Sequence, residues 1–205
     1  RSSDLYDHRR LRRSLAGREE LLDGPLPALL HRLRDQAGWR GAVRLTCSDA
    51  LSVPVALGVV RPEICLPRRT LTELSQAEQR GVLAHELGHL VRRDPAWLVL
   101  CGVLEALFFF QPLLRLARRR LRELAEYQCD DFSVACTGRR LALARSLTTV
   151  AGWALEQRAP ALLASLAPRG SELSRRVGRL LAKEGGALVK PPRWLVAPAA
   201  LVLAL

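Results

Sequence analysis

The sequence contains no methionine, position 1 included. We therefore expect an excerpt or a processed piece of a longer protein. Aromatic residues make up only 5% of the 205 positions and do not interleave with the basic clusters. A base-stacking surface for single-stranded nucleic acid is not expected from such a pattern. The five cysteines are too few, and odd in number, for a disulfide scaffold. Reduced thiols are expected, with Cys47 and Cys65 as neighbours on strands. Lysine occurs only at 183 and 190, so the positive charge is carried almost wholly by arginine.

What is present is a chain long enough for one domain with a real core. Hydrophobic residues reach 49%, which excludes a disordered chain. Lys and Arg number 32 against 20 Asp and Glu, a formal +12. The arginines cluster at Arg9, Arg10, Arg12 and Arg13, at Arg115, Arg118, Arg119, Arg120 and Arg122, and at Arg175, Arg176 and Arg179. Clusters beside apolar runs resemble cytoplasmic flanks of a membrane protein. No nucleic-acid recognition motif accompanies the charge, so no direct nucleic-acid partner is expected.

Along the chain, residues 1–24 are polar and Arg-rich and are expected to be a basic juxtamembrane linker or an exposed helix. Leu26, Leu29, Leu30, Leu33 and Ala37 have helical spacing over 26–38. Alternation at Val43, Leu45 and Cys47, the apolar stretch Val53–Val60, and Glu63–Leu66 predict two or three short strands. Thr70 with Glu73 and Ser75 with Glu78 have the form of successive capping boxes, the second opening a helix to about Arg92. Asp94-Pro95 has the form of an N-cap followed by proline at the first helical position. Trp97–Phe110 is almost wholly apolar but short for a span, and suits a buried helix or one lying in the membrane interface. Helices are further expected over 113–136, stopped by Gly138, then over Arg140–Leu155 and Leu173–Ala182. Trp194–Leu205 follows Lys190-Pro191-Pro192-Arg193 without a charge and is expected to begin a transmembrane helix.

The chemistry concentrates at His85-Glu86-Leu87-Gly88-His89. On a helix, positions i and i+4 share one face, so two imidazoles can address one metal ion. Glu86 lies about 100° round the helix, within reach of a water at that metal. A catalytic zinc takes three protein ligands and keeps one position open. His8 and His31 are candidates for the third, but Glu126 is the better one. It sits on a predicted helix with Asp130 one turn later, where Asp130 can receive the ring N–H of a ligating histidine. This makes His85, His89 and Glu126 the expected metal ligands, Glu86 the general base and Asp130 the orienting carboxylate, a gluzincin arrangement. Cys129 reads as a packed residue, because a fourth protein ligand would close the site. Asp94 reads as a cap more than as a catalytic group. Tyr127, Arg139, Arg140 and Arg145 are open candidates for an oxyanion donor.

The run Ala84-His85-Glu86-Leu87-Gly88-His89-Leu90-Val91-Arg92-Arg93-Asp94 resembles the active-site helix of the BlaR/MecR-type membrane metallopeptidases of bacteria. Three further stretches are similar to that family in the same order. They are Pro54 to Pro67 before the helix, Glu126-Tyr127-Gln128-Cys129-Asp130 as the third-ligand motif, and the basic segment Leu173-Ser174-Arg175-Arg176-Val177. The resemblance spans roughly 45–182. Ste24/HtpX-like peptidases share the layout, but usually carry Ala where this chain has Cys129.

The resemblance implies an α+β, mostly helical gluzincin-type domain over 25–190, with a small sheet beside the active-site helix, embedded in an integral membrane protein. Residues 191–205 would then be the truncated start of a transmembrane helix. It implies one zinc per chain and hydrolysis of peptide bonds in a protein substrate, a cytosolic transcriptional repressor or the protein itself. It also implies contact with membrane lipid, and a location in the bacterial inner membrane with the site facing the cytoplasm. An edge strand within 53–60 is expected to hold the substrate backbone by β-addition. The alternative is a non-catalytic, basic, membrane-associated module with a structural metal site, which would have no need of Glu86.

Overall fold

The structure is a computed structural model that describes residues 15–156 and 167–182. In chain order its elements are β1 (Glu19–Glu20), α1 (Pro25–Gln36), β2 (Arg44–Ser48), β3 (Val55–Leu57), β4 (Glu63–Pro67), α2 (Arg69–Glu73), α3 (Gln76–Val91), α4 (Asp94–Leu107), α5 (Pro112–Thr137), α6 (Arg140–Glu156) and α7 (Ala167–Leu181). The fold is α+β and mostly helical, as expected. The span expected at 191–205 lies outside the described residues. No helix among the described residues is long and apolar enough to cross a membrane.

The strands form one mixed sheet in the order β1-β2-β4-β3. β2 and β4 run parallel, with Thr46 opposite Cys65, and β1 and β3 pair antiparallel on either side. Cys47 and Cys65 therefore sit on adjacent strands as buried free thiols. Within the segment expected as a linker, Glu19–Glu20 supplies an edge of the sheet. The apolar stretch Val53–Val60 yields only three strand residues. Pro54 precedes them, and Gly58 turns the chain at φ 82°. A Cβ at Gly58 would fall 2.1 Å from the Arg61 carbonyl oxygen, so this turn admits only glycine without rearrangement.

Helix α3 is set by its cap and its apolar face. The Ser75 side chain accepts from the Glu78 N–H, and the Ser75 N–H donates to Glu78 Oε2 at 2.9 Å, closing the predicted capping box. Leu83 and Leu87 are fully buried in a core shared with Leu26, Leu30 and Leu33 of α1, Ile64 and Leu66 of β4, and Trp153 of α6. Each such side chain contributes roughly 1.5–3 kcal/mol by leaving water. The first predicted capping box does not form. Helix α2 starts after Arg68, whose side chain makes no cap, and the Thr70 side chain is buried inside it. Glu73 is instead taken by Arg69 Nε at 2.6 Å and Trp153 Nε1 at 2.9 Å.

Helix α4 is not a buried helix. None of its residues is buried, and Trp97, Leu98, Val99, Leu100, Val103 and Leu107 are exposed, followed by exposed Phe108, Phe109 and Phe110. The Arg118–Glu105 pair at 2.9 Å ties α5 back to α4. α5 ends where Gly138 adopts φ 68° and its N–H caps the Val134 carbonyl, the expected stop.

Glu63 is the buried charge of the sheet. Thr46 Oγ1 donates to it at 2.8 Å, and Arg18 pairs with it from the chain before β1. Burial pushes this carboxyl up, but the Arg18 and Thr46 hydrogen bonds more than offset that and hold it below the usual carboxylate range. A depressed carboxylate stabilises the fold fully above its ordinary value of about 4.3 and loses that contribution as pH falls through the lower folded value. Glu63→Gln is therefore expected to lower stability by about 1–3 kcal/mol at neutral pH. In chemical denaturation the gap to wild type should close below about pH 4. Equal stability at pH 7 would contradict this account of the sheet. Ser75→Ala is expected to cost about 1 kcal/mol by removing the α3 cap, read in the same experiment.

Candidate metal centre

Helices α3 and α5 cross at a glycine. A Cβ at Gly88 would meet Phe132 Cδ1 at 3.1 Å and Cys129 Sγ at 3.3 Å, so the bare backbone there lets α5 approach closely. His85 and His89 face α5 from one side. Glu126 and Asp130, also four apart, face them from the other. The His85 Nε2 lies 3.5 Å from Glu126 Oε2, and His89 Nε2 lies 3.6 Å from Glu126 Oε1. The two rings stand edge to face, 5.0 Å between centroids. One ligand atom from each of these three residues lies within 4.8 Å of the others.

Both histidines are oriented from behind. Asp130, fully buried, brings Oδ1 to 3.1 Å from His85 Nδ1, an ionic contact rather than a well-aligned hydrogen bond. Asp94 brings Oδ2 to 2.8 Å from His89 Nδ1. A carboxylate at Nδ1 selects the tautomer whose Nε2 lone pair faces the centre. From its place before Pro95, Asp94 is expected to be a cap. Arg93 takes that place instead, at φ 59°, and the left-handed kink turns the Asp94 carboxylate back onto His89 and onto Arg92 Nε at 3.2 Å. The available signal was position: Asp94 follows His89 by five residues, immediately past the end of its helix.

The electrostatics follow from burial and pairing. Burial alone would lower His85, but Asp130 and Glu126 more than offset it and hold the imidazole up at about 9. Burial would raise Glu126, but His85 and Arg176 hold it down at about 2. Burial raises Glu86, against the opposing pull of His89 and His85. The Cys129 thiol is pushed far up by burial and by Asp94 and Glu126. Cys129 touches His89 Nδ1 at 3.4 Å, on the ring edge that faces away from Glu126. Cys129 also stands with His89 and Asp94 in a second group of donors within 4.8 Å of one another.

Three donors with one ionised carboxylate fit a divalent cation. A tetrahedron with bonds of about 2.0–2.1 Å has edges of about 3.4 Å. The 3.5 Å from His85 Nε2 to Glu126 Oε2 and the 3.6 Å from His89 Nε2 to Glu126 Oε1 are each close to such an edge, though they end on different oxygens of the carboxylate, and one ligand atom from each residue lies within 4.8 Å of the others. Two imidazoles and a carboxylate are also a donor set that zinc accepts.

The centre opens on a cavity of about 460 Å³. His85, Glu86, His89 and Glu126 line it, with Val53 to Ala56 along one wall and Leu143, Leu147 and Val150 along another. Edge strand β3 thus borders the cavity. The four expected oxyanion candidates do not face it. Arg139, Arg140 and Arg145 line a separate surface cavity with Ser75 and Glu78, and Tyr127 lies under the Arg179 guanidinium. His31 is exposed on α1 and pairs with Asp35, while His8 lies outside the described residues. A cation that reaches the Glu126 carboxylate is Arg176 of α7, which the sequence shows only within a basic segment. It lies 2.6 Å from Glu126.

A family profile described as BlaR1 peptidase M56 matches residues 6–180. The Regulatory protein BlaR1 of Bacillus licheniformis is 27% identical over 140 residues, covering 68% of this chain and 23% of that protein. The Methicillin resistance mecR1 protein of Staphylococcus aureus (strain Mu50 / ATCC 700699) is 25% identical over 88 residues, 43% of this chain and 15% of that protein. The chain thus spans less than a quarter of the length of these relatives.

Loss of the carboxylate behind His89 is expected to loosen the centre. Asp94→Ala should lower zinc affinity about 10–100-fold in competition with a chromophoric chelator. Arg139→Ala, on the separate cavity, should leave it unchanged. Equal affinity of Asp94→Ala and wild type would contradict the orienting role.

Proposed function

The chain belongs to the BlaR1 peptidase M56 family, and we propose that it forms the catalytic centre of a membrane-associated zinc endopeptidase of gluzincin type. The observation that carries this reading is the convergence of His85, His89 and Glu126 on one point with Glu86 beside it, at the floor of a cavity. His85, His89 and Glu126 would hold the metal. Bound there, zinc would supply a Lewis acid and lower the pKa of a water molecule to about 7.

The protein's own groups account for the rest. Glu86 is buried at the cavity wall and takes the proton of the attacking water. Burial raises its affinity for that proton, which suits it to accept the proton from water before passing it to the leaving amine. Among the described residues, strand β3 is an edge of the sheet along the cavity, and an extended peptide can add to it as a further strand. Asp130 and Asp94 keep both imidazoles turned toward the centre.

We take the substrate to be a peptide bond in a regulatory protein, a cytosolic transcriptional repressor or this protein itself. The support is family membership and the regulatory name borne by one relative. Membrane association draws on the exposed apolar face of α4 and the three phenylalanines after it. Arginines at the start of α5 stand next to that face and match anionic headgroups. Such a placement suits a bacterial inner membrane with the centre on its cytoplasmic side.

Metal analysis and activity together test this reading. Purified protein should carry about one zinc per chain, lost in His85→Ala and in Glu126→Ala. Glu86→Gln should keep the zinc and lose at least 100-fold in hydrolysis of fluorescent casein. Retained hydrolysis in Glu86→Gln, or zinc unaffected by Glu126→Ala, would overturn it.

A further inference from the structure

We propose that Arg176 is a positioning residue that holds Glu126 and Asp130 together in the geometry a metal ion requires. The inference rests on the reading of His85, His89 and Glu126 as the metal ligands.

Arg176 lies on α7, nearly fifty residues beyond the two carboxylates it meets. Its Nε donates to Asp130 Oδ2 at 2.8 Å and its Nη2 to Asp130 Oδ1 at 2.7 Å, a bidentate fork. The remaining nitrogen, Nη1, lies 2.6 Å from Glu126 Oε2. All three guanidinium nitrogens are therefore engaged, and the side chain is only 11% exposed. The same two carboxylates flank His85. Asp130 Oδ1 faces its Nδ1 at 3.1 Å and Glu126 Oε2 faces its Nε2 at 3.5 Å. His85, Asp130, Arg176 and Glu126 thus close a ring in which one planar cation fixes the oxygens addressing both nitrogens of one imidazole. Without that cation, two carboxylates one helical turn apart repel each other, and rotation of either side chain carries its oxygen away from the imidazole.

Neighbouring arginines separate this role from simple anchoring. Arg175 pairs with Glu123 at 2.7 Å, and Arg179 pairs with Asp131 and donates to the Tyr127 carbonyl at 3.2 Å. Those contacts fasten α7 to α5 without touching a candidate ligand. Lysine at 176 would keep the charge but has one nitrogen where three are used, so it should not substitute.

The test compares zinc affinity, by chelator competition, and the visible spectrum of the cobalt-substituted protein. The proteins are wild type, Arg176→Gln, Arg176→Lys, Arg179→Gln and Glu126→Ala, with thermal unfolding measured for each. Both Arg176 variants should bind zinc about 10–100-fold more weakly and show a shifted cobalt spectrum. Arg179→Gln should lose thermal stability yet keep wild-type affinity and spectrum. Arg176→Lys guards against a glutamine variant that fails to fold. Wild-type zinc affinity and cobalt spectrum in a folded Arg176 variant would overturn the proposal. So would an equal loss of affinity in Arg179→Gln, which would make the effect one of α7 anchoring. If Glu126→Ala binds zinc like wild type, the assignment of Glu126 as a ligand fails, and this inference falls with it.

Discussion

The close crossing of α3 and α5 is the constraint on which the centre depends. Two helices, each with chemical groups four residues apart, present matching faces one turn long. Gly88 lets the backbones approach until Cys129 and Phe132 fill the space a Cβ would occupy. Only then do the two imidazoles and Glu126 stand close enough to share an ion. The crossing is itself fixed from outside. Leu83 and Leu87 press α3 into the core over β4 and α1, and Ser133 Oγ donates to the Gly81 carbonyl at 2.8 Å at the far end of the contact.

A cluster of this kind is costly in a buried setting. Glu86, Glu126, Asp130 and Asp94 bring four carboxylates to one region of low dielectric, where unpaired charge is strongly disfavoured. Arg176 and Arg92 answer part of that charge. A dication bound at the proposed site would answer more of it. The cavity wall is otherwise apolar on the α6 side and offers an open strand edge on the other. That combination suits an extended peptide better than a small polar molecule.

Much of this was legible in the sequence because helical periodicity is local. The spacing of His85 and His89, and of Glu126 and Asp130, states which groups share a face. Ser75 and Glu78 state where α3 begins, and Gly138 where α5 ends. What was not legible depends on tertiary placement. Asp94 has the form of a cap, and only the left-handed turn at Arg93 aims it at His89. Glu73 has the form of a capping partner, but Arg69 and Trp153 hold it elsewhere. Arg176 sits among other arginines and gains its meaning from a contact across nearly fifty residues. The apolar α4 stretch fits a buried helix equally well by composition, and only packing leaves it uncovered.

X-ray absorption at the zinc edge of the purified protein would report the ligand atoms themselves. Nitrogen and oxygen neighbours are expected at about 2.0–2.1 Å, with the outer-shell pattern of two imidazoles and no sulfur. A sulfur neighbour at about 2.3 Å would place Cys129 in the coordination sphere and contradict the proposed centre.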